Sequence, residues 1–165
     1  MIQLQSILTL LTLISVPIGV FYHIMTLANT RKNQELTLEN RNAQLLMRVY
    51  DKYTETELMR QQMEIINSDW KDIDDFWNRY GPQSNPEFYT QFGRLAYYFD
   101  GIGVLLKRKL VDKDAIYDLM GVHILQYWNN YYGPLMPGLR EKWNNPDAYK
   151  QFEYLANEMQ QLHKD

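Results

Sequence analysis

The 165-residue sequence contains no cysteine, which excludes disulfides, thiolate nucleophiles and sulfur-ligated metal. Histidine is scarce: His23, His123 and His163 are the only three. So few imidazoles leave few ways to build a zinc site or a Ser-His-Asp triad. There is no basic excess either, with Lys+Arg 17 against Asp+Glu 20 and a formal net charge of -3. A chain without a clustered basic surface is not built to neutralise phosphates, so nucleic acid is excluded as the main partner. No Glu-x-x-His pair and no Gly-x-Ser-x-Gly elbow occurs. Gly101-Ile102-Gly103 follows no strand and lacks the rest of a phosphate-cradling motif. No segment alternates apolar and polar residues with the period of a half-buried strand.

Charge is also missing from one long run. From Ile7 to Ala28 there is no Asp, Glu, Lys or Arg. At about 1.5 Å per residue this run would be roughly 33 Å of helix, close to a bilayer core of about 30 Å. A signal peptide would carry a basic leader, and Met1-Ile2-Gln3-Leu4-Gln5 has none. The pattern therefore predicts a membrane-spanning anchor. Arg31 and Lys32 follow it, which by the positive-inside rule places the rest of the chain in the cytoplasm. Thr9, Thr12, Val16, Gly19, His23 and Thr26 recur at spacings of three and four, a small and weakly polar stripe of the kind that lets helices approach closely.

After the run the chain reads as helix throughout. No Pro or Gly interrupts Thr30 to Tyr53, so the first helix is expected to continue to about Tyr53. Thr54-Glu55-Thr56-Glu57 has the form of a capping box for a second helix. Ser68 and Asp69 offer a cap for a third, and Gly81-Pro82 stops it. Asn85 caps a fourth, with Pro86 at its first position. Gly101 and Gly103 lie inside that helix and suggest a close crossing. Asp112 caps a fifth, expected to end at Gly133-Pro134, and Asn145-Pro146 repeats the cap-then-proline start for the last. The predicted fold is all-α: a single N-terminal transmembrane helix (1–29), a helical stalk (30–42) and a cytoplasmic bundle of about five or six helices (43–165).

Several ordered fragments resemble one family. They are Leu45 to Tyr50, Trp70 with Phe76-Trp77-Asn78-Arg79-Tyr80, Asn85-Pro86, Tyr98 to Leu105, Leu110-Val111-Asp112, and Pro146 with Phe152-Glu153-Tyr154-Leu155. The chain resembles the membrane-anchored helical proteins grouped as domain of unknown function 4760. Asp100 stands where that pattern leads one to expect Glu, and Lys109 where it leads one to expect Gly. The resemblance implies an architecture and no activity.

The candidate chemistry is thin. Asp69, Asp72, Asp74 and Asp75 cluster, but without the glycine that a calcium loop needs for its sharp turn, so they read as a solvated helix start. His123 lies in a row with Leu119, Met120, Ile124 and Tyr127 and reads as a core or groove histidine. No catalytic residue, cofactor or metal is predicted. Rings are dense from Tyr127 to Trp143 and broken by Pro134, Pro137 and Gly138. The predicted function is a membrane-anchored interaction module, an accessory or structural subunit of a membrane-associated complex. Its partners would be lipid and another membrane protein or a second copy. Partner binding is assigned to Thr12, Val16, Gly19 and His23 in the span and to Tyr127, Trp128, Tyr131, Tyr132 and Trp143 beyond it. The competing readings are an anchored sensor and an anchored enzyme that uses carboxylates and His123.

Overall fold

In a computed structural model the chain is all-α. The structure describes residues 2–164, with side chains described for residue 13 and for residues 15–164. Six helices occur among the described residues: α1 (Ile2–Thr54), α2 (Thr56–Ile66), α3 (Ile73–Tyr80), α4 (Pro86–Lys107), α5 (residues 113–142) and α6 (Lys150–Lys164). Two compact units divide the chain, Met1–Arg41 and Asn42–Asp165.

In the first unit the expected membrane span is overturned. No helix among the described residues is long and apolar enough to cross a membrane. Past Ser15 the helix already carries Pro17, Gly19, Tyr22, His23 and Thr26, and a window lengthened further takes in Asn29, Thr30, Arg31 and Lys32. The earlier part of the expected run, Thr9 and Thr12 included, lies outside the residues whose side chains are described. The transmembrane anchor, the single-pass membrane localisation with a cytoplasmic domain, the lipid partner and the membrane-anchored function are therefore withdrawn together. The membrane attachment implied by the family resemblance goes with them.

The second unit is organised around α4. Its buried row, Phe88, Phe92, Leu95, Ala96, Phe99, Ile102 and Leu106, keeps helical spacing and faces the core. The last helix, α6, packs along it through Phe152, Leu155, Ala156 and Met159. Gly103 makes the approach possible, because a Cβ there would sit 2.0 Å from the backbone oxygen of Gln151. Gly101 has open space around it and takes no part in the crossing. Buried tyrosines then tie the other elements to this pair. Tyr132 stacks on Phe92 at 4.2 Å and donates its hydroxyl to the Phe92 carbonyl at 2.8 Å. Tyr127 donates to Gln62 Oε1, whose amide in turn donates to the Tyr53 carbonyl.

Helix ends depart from the sequence reading in instructive ways. The capping box at Thr54 does not form. Thr54 closes α1, donating its hydroxyl back to Tyr50 and Asp51, and Glu57 is held by Arg60 and Gln61. The cap of α3 is Asp72, which accepts from the amides of Asp74 and Asp75, and not Ser68 or Asp69. Asn85 and Asp112 do cap α4 and α5, accepting from Phe88 and Ala115.

The largest departure is α5, which runs through Gly133-Pro134 instead of ending there. It alternates α turns with two π turns, Tyr117–Gly121 and Trp128–Tyr132. At the second, the Gly133 amide reaches back five residues to the Trp128 carbonyl. This wider turn resets the hydrogen-bond ladder before Pro134, which brings no N–H and whose ring would crowd a regular preceding turn. The first π turn shifts the phase of the helix. Ile116, Met120, Ile124 and Leu125 face the core, and His123, read as a core or groove histidine, is exposed with the Tyr53 ring 6.0 Å away.

Two residues past the end of α4, Lys109 has a backbone φ of 56°. The Lys109 amide bonds the Leu106 carbonyl and the Leu110 amide the Leu105 carbonyl, the double closure that a left-handed residue allows. This is the physical basis for expecting glycine there. Lysine in that conformation is strained by its Cβ. Lys109→Gly is expected to raise stability by about 1 kcal/mol. A urea titration checks this, and an unchanged or lowered midpoint refutes it.

Candidate functional site

The ring-rich segment expected to bind a partner is mostly committed to the interior. Tyr127 and Tyr132 are buried, at 1% and 0% exposure, with their hydroxyls bonded as described. Trp128 is half-buried, edge-on to Phe152 at 5.0 Å. Tyr131 is half-buried, edge-on to Trp70 and donating to the Ile66 carbonyl. In the first unit, Val16 and His23 are exposed, and Gly19 has nothing within 4 Å of where a Cβ would stand. Thr12 is outside the described side chains.

Trp143 is different, because it opens onto a cleft of about 860 Å³. One wall is a face of α4 beside the buried row. Tyr89, Gly93, Tyr97 and Asp100 recur on it at spacings of three and four, with Thr90 and Arg94 at its edge. The other wall is the connection from α5 to α6, which presents Trp143, Asn145, Asp147, Ala148 and Tyr149.

The backbone of that connection explains the shape. Asn144 has a φ of 48° and closes α5 with amide bonds from itself and Asn145 to Glu141 and Arg140. The Asn145 side chain then accepts from the Asp147 amide, making a turn where a helix start was expected. Tyr149, a bulky residue, is held at a φ of 53°, and α6 begins only after it. Asp100 caps α6 from α4, its Oδ1 accepting from the amides of Gln151 at 2.9 Å and Phe152 at 3.0 Å. A carboxylate at a helix N-terminus is favoured by both the free amides and the dipole. Asp100→Ala is expected to cost about 1–2 kcal/mol in a denaturant titration, and Asp100→Asn, which keeps an acceptor, distinctly less. Equal losses for the two variants would show that Asp100 does not act as this cap.

The rings are fixed by contacts with one another. The Trp143 indole donates to the Tyr89 hydroxyl at 2.8 Å. Tyr149 meets Tyr97 edge-on at 5.0 Å and Trp143 at 5.8 Å. Tyr97 is 71% exposed, so its ring forms an open rim rather than a sealed lid. Burial pushes the Tyr149 and Tyr89 phenols up from their ordinary range, the indole of Trp143 partly offsetting this at Tyr89. A phenol is neutral near pH 7 even at its ordinary value of about 10, and the upward shift keeps it so, leaving both as hydrogen-bonding groups. Hydrogen bonding to Lys150 holds the Asp147 carboxyl below its usual range.

The acidic cluster of α3 lies elsewhere and its groups are engaged. Asp69 and Asp75 hold Arg79, Asp72 is a cap, and Asp74 pairs with Lys142. A family model covers residues 7–159. The chain belongs to the family described as Domain of unknown function (DUF4760). No curated protein and no solved structure matches it. Family membership thus carries no reaction or ligand to these residues, and the cleft has to be read from its own chemistry.

Sequence reasoning missed this cleft, although Trp143 was among the candidate residues. The signal was the Tyr89–Gly93–Tyr97 row, which flanks the apolar row of α4 at the same spacing. The opposing wall had no such signal, since its form depends on two non-glycine residues with positive φ.

Proposed function

We propose that this DUF4760 protein is a binding module rather than a catalyst, and that its ligand sits in the cleft between α4 and the α5–α6 connection. The observation that carries this reading is the ring-walled cleft itself, whose volume of about 860 Å³ falls in the range of small-molecule sites. Its lining supports binding over chemistry. The Tyr89 and Tyr149 phenols are held neutral, Asp100 caps a helix and Asp147 pairs with Lys150. None of these is poised as a nucleophile with an adjacent base.

A fragment screen followed by amide and indole NMR tests the reading. Shifts caused by bound fragments should concentrate on residues 89–100 and 143–149. Gly93→Leu should abolish them by filling the cleft. Gly93→Ala should leave them largely in place, because its Cβ would only touch the Tyr149 hydroxyl at 3.6 Å. Hits clustered on another surface, or insensitive to Gly93→Leu, would defeat the proposal.

A further inference from the structure

Resting on that binding-module reading, we infer that the cleft takes an amphipathic anion: an aromatic or similarly flat apolar body carrying a carboxylate or phosphate. Charge decides the second half of this. Of the three charged groups along the cleft, both carboxylates have partners, Asp100 in two backbone amides and Asp147 in Lys150. The third is Arg94, which is exposed. The arginine ion pairs of the described residues use Arg60, Arg79 and Arg140 and leave Arg94 out. Arg94 also helps to hold the Glu57 carboxyl below its ordinary range, but that carboxylate is hydrogen-bonded to Arg60 and Gln61.

The charged group of the lining that makes no hydrogen bond or ion pair among the described residues is thus a guanidinium, whose planar fork matches a carboxylate or phosphate through two parallel hydrogen bonds. The rings decide the first half. Tyr97, Tyr149 and Trp143 offer edges and faces to an apolar body, and Tyr89 and Thr90 add hydroxyls without charge. An acidic headgroup beside Arg94 with its ring between these side chains satisfies both walls. A cationic ligand would meet the guanidinium unfavourably and find Asp147 already paired.

The experiment follows the Trp143 indole N–H resonance of the full chain during titration with phenylacetate, phenyl phosphate and phenylacetamide, a neutral isostere of the first. Acetate and inorganic phosphate are titrated as headgroups without a ring. Phenylacetate or phenyl phosphate should bind at least about tenfold more tightly than phenylacetamide, a difference of about 1.4 kcal/mol. Whichever of the two binds better identifies the headgroup. Acetate and inorganic phosphate should bind more weakly than their ring-bearing counterparts. Arg94→Gln should remove the preference for the anion, and Arg94→Lys should retain part of it. Arg94 is exposed, so both variants are expected to fold, and their thermal melts check this. Equal binding of phenylacetate and phenylacetamide would overturn the anion assignment and leave the binding-module reading standing. If no ring compound moves the indole resonance, while fragments bind elsewhere, both are overturned.

Discussion

Gly103→Ala is expected to destabilise the helical domain by about 3 kcal/mol or more, whereas Gly101→Ala, two residues away, should stabilise it by about 1 kcal/mol. Both glycines are interior to α4, and on helix propensity alone either change should help. Their surroundings reverse the sign at one of them. A Cβ on Gly103 would stand 2.0 Å from the Gln151 backbone oxygen and 2.6 Å from its carbonyl carbon. Those atoms belong to the first turn of α6, which the Asp100 carboxylate holds from the same stretch of α4. Relief would require α6 to move bodily, and that would disturb the packing of Phe152 on Phe99 and of Trp128 on Phe152. Gly101 is exposed with nothing within 4 Å, so alanine there gains propensity at no steric cost. Urea titrations of the two variants give the comparison. Matching midpoints for Gly103→Ala and the parent would mean that the α4–α6 crossing is looser than described.

This pair of glycines shows what the sequence could and could not disclose. That helix α4 would exist, and roughly where it would start, was legible from the Asn85-Pro86 cap and the spacing of Phe88, Phe92, Leu95 and Phe99. Two glycines within it suggested a close crossing. Which of them makes it depends on the partner helix, and no local pattern encodes that. The same limit explains α5. Gly133-Pro134 is a sound stop signal locally, but a π turn upstream removes the conflict that would have stopped the helix. That turn is supported by tertiary packing of Tyr127 and Tyr132, whose burial is not visible from sequence spacing.

The candidate site was legible in smaller measure. Proline and glycine neighbours mark out Trp143 in the sequence as a partner-binding candidate, and the structure places its ring in the wall of the cleft. Tyr127 and Tyr132 came from the same argument and are core, because a run of aromatics says nothing about which hydroxyls will find backbone carbonyls. In the sequence Asp100 stands out only as a departure from a family pattern. Its role, capping a helix some fifty residues later in the chain, is a long-range hydrogen bond. In the stretch before Arg31 the freedom from charge suggests a span, whereas Pro17, Gly19, Tyr22, His23 and Thr26 interrupt its apolar character among the described residues.

The buried tyrosines lead to an expected loss of the fold in alkali. Desolvation by burial pushes the phenols of Tyr127 and Tyr132 well above the ordinary value of 10.0. Tyr53, Tyr98 and Tyr149 are pushed in the same direction for the same leading reason. In the unfolded chain each titrates near the ordinary value and releases its proton; in the folded protein each keeps it. Above that value the unfolded state therefore binds fewer protons than the native one, and stability must fall as pH rises. Below it both states hold the phenol neutral, and the contribution is fully present. Counting only Tyr127 and Tyr132, which are buried at 1% and 0% exposure, stability at pH about 11 should be lower by about 3 kcal/mol than at pH about 9. Tyr53, Tyr98 and Tyr149 act in the same direction and add to this. A loss of that size is a large fraction of the stability of an ordinary domain. Urea midpoints across this range provide the measurement, with tyrosinate absorbance at 295 nm as the second signal. The share of the absorbance that comes from the buried phenols should rise together with unfolding rather than ahead of it. Tyr132→Phe should flatten the pH dependence by about one proton, although it also loses the bond to the Phe92 carbonyl and starts from a lower stability. A midpoint that stays level through pH about 11, or full tyrosinate absorbance in a protein that remains folded, would show that these hydroxyls are open to solvent and that the core described around α4 is wrong.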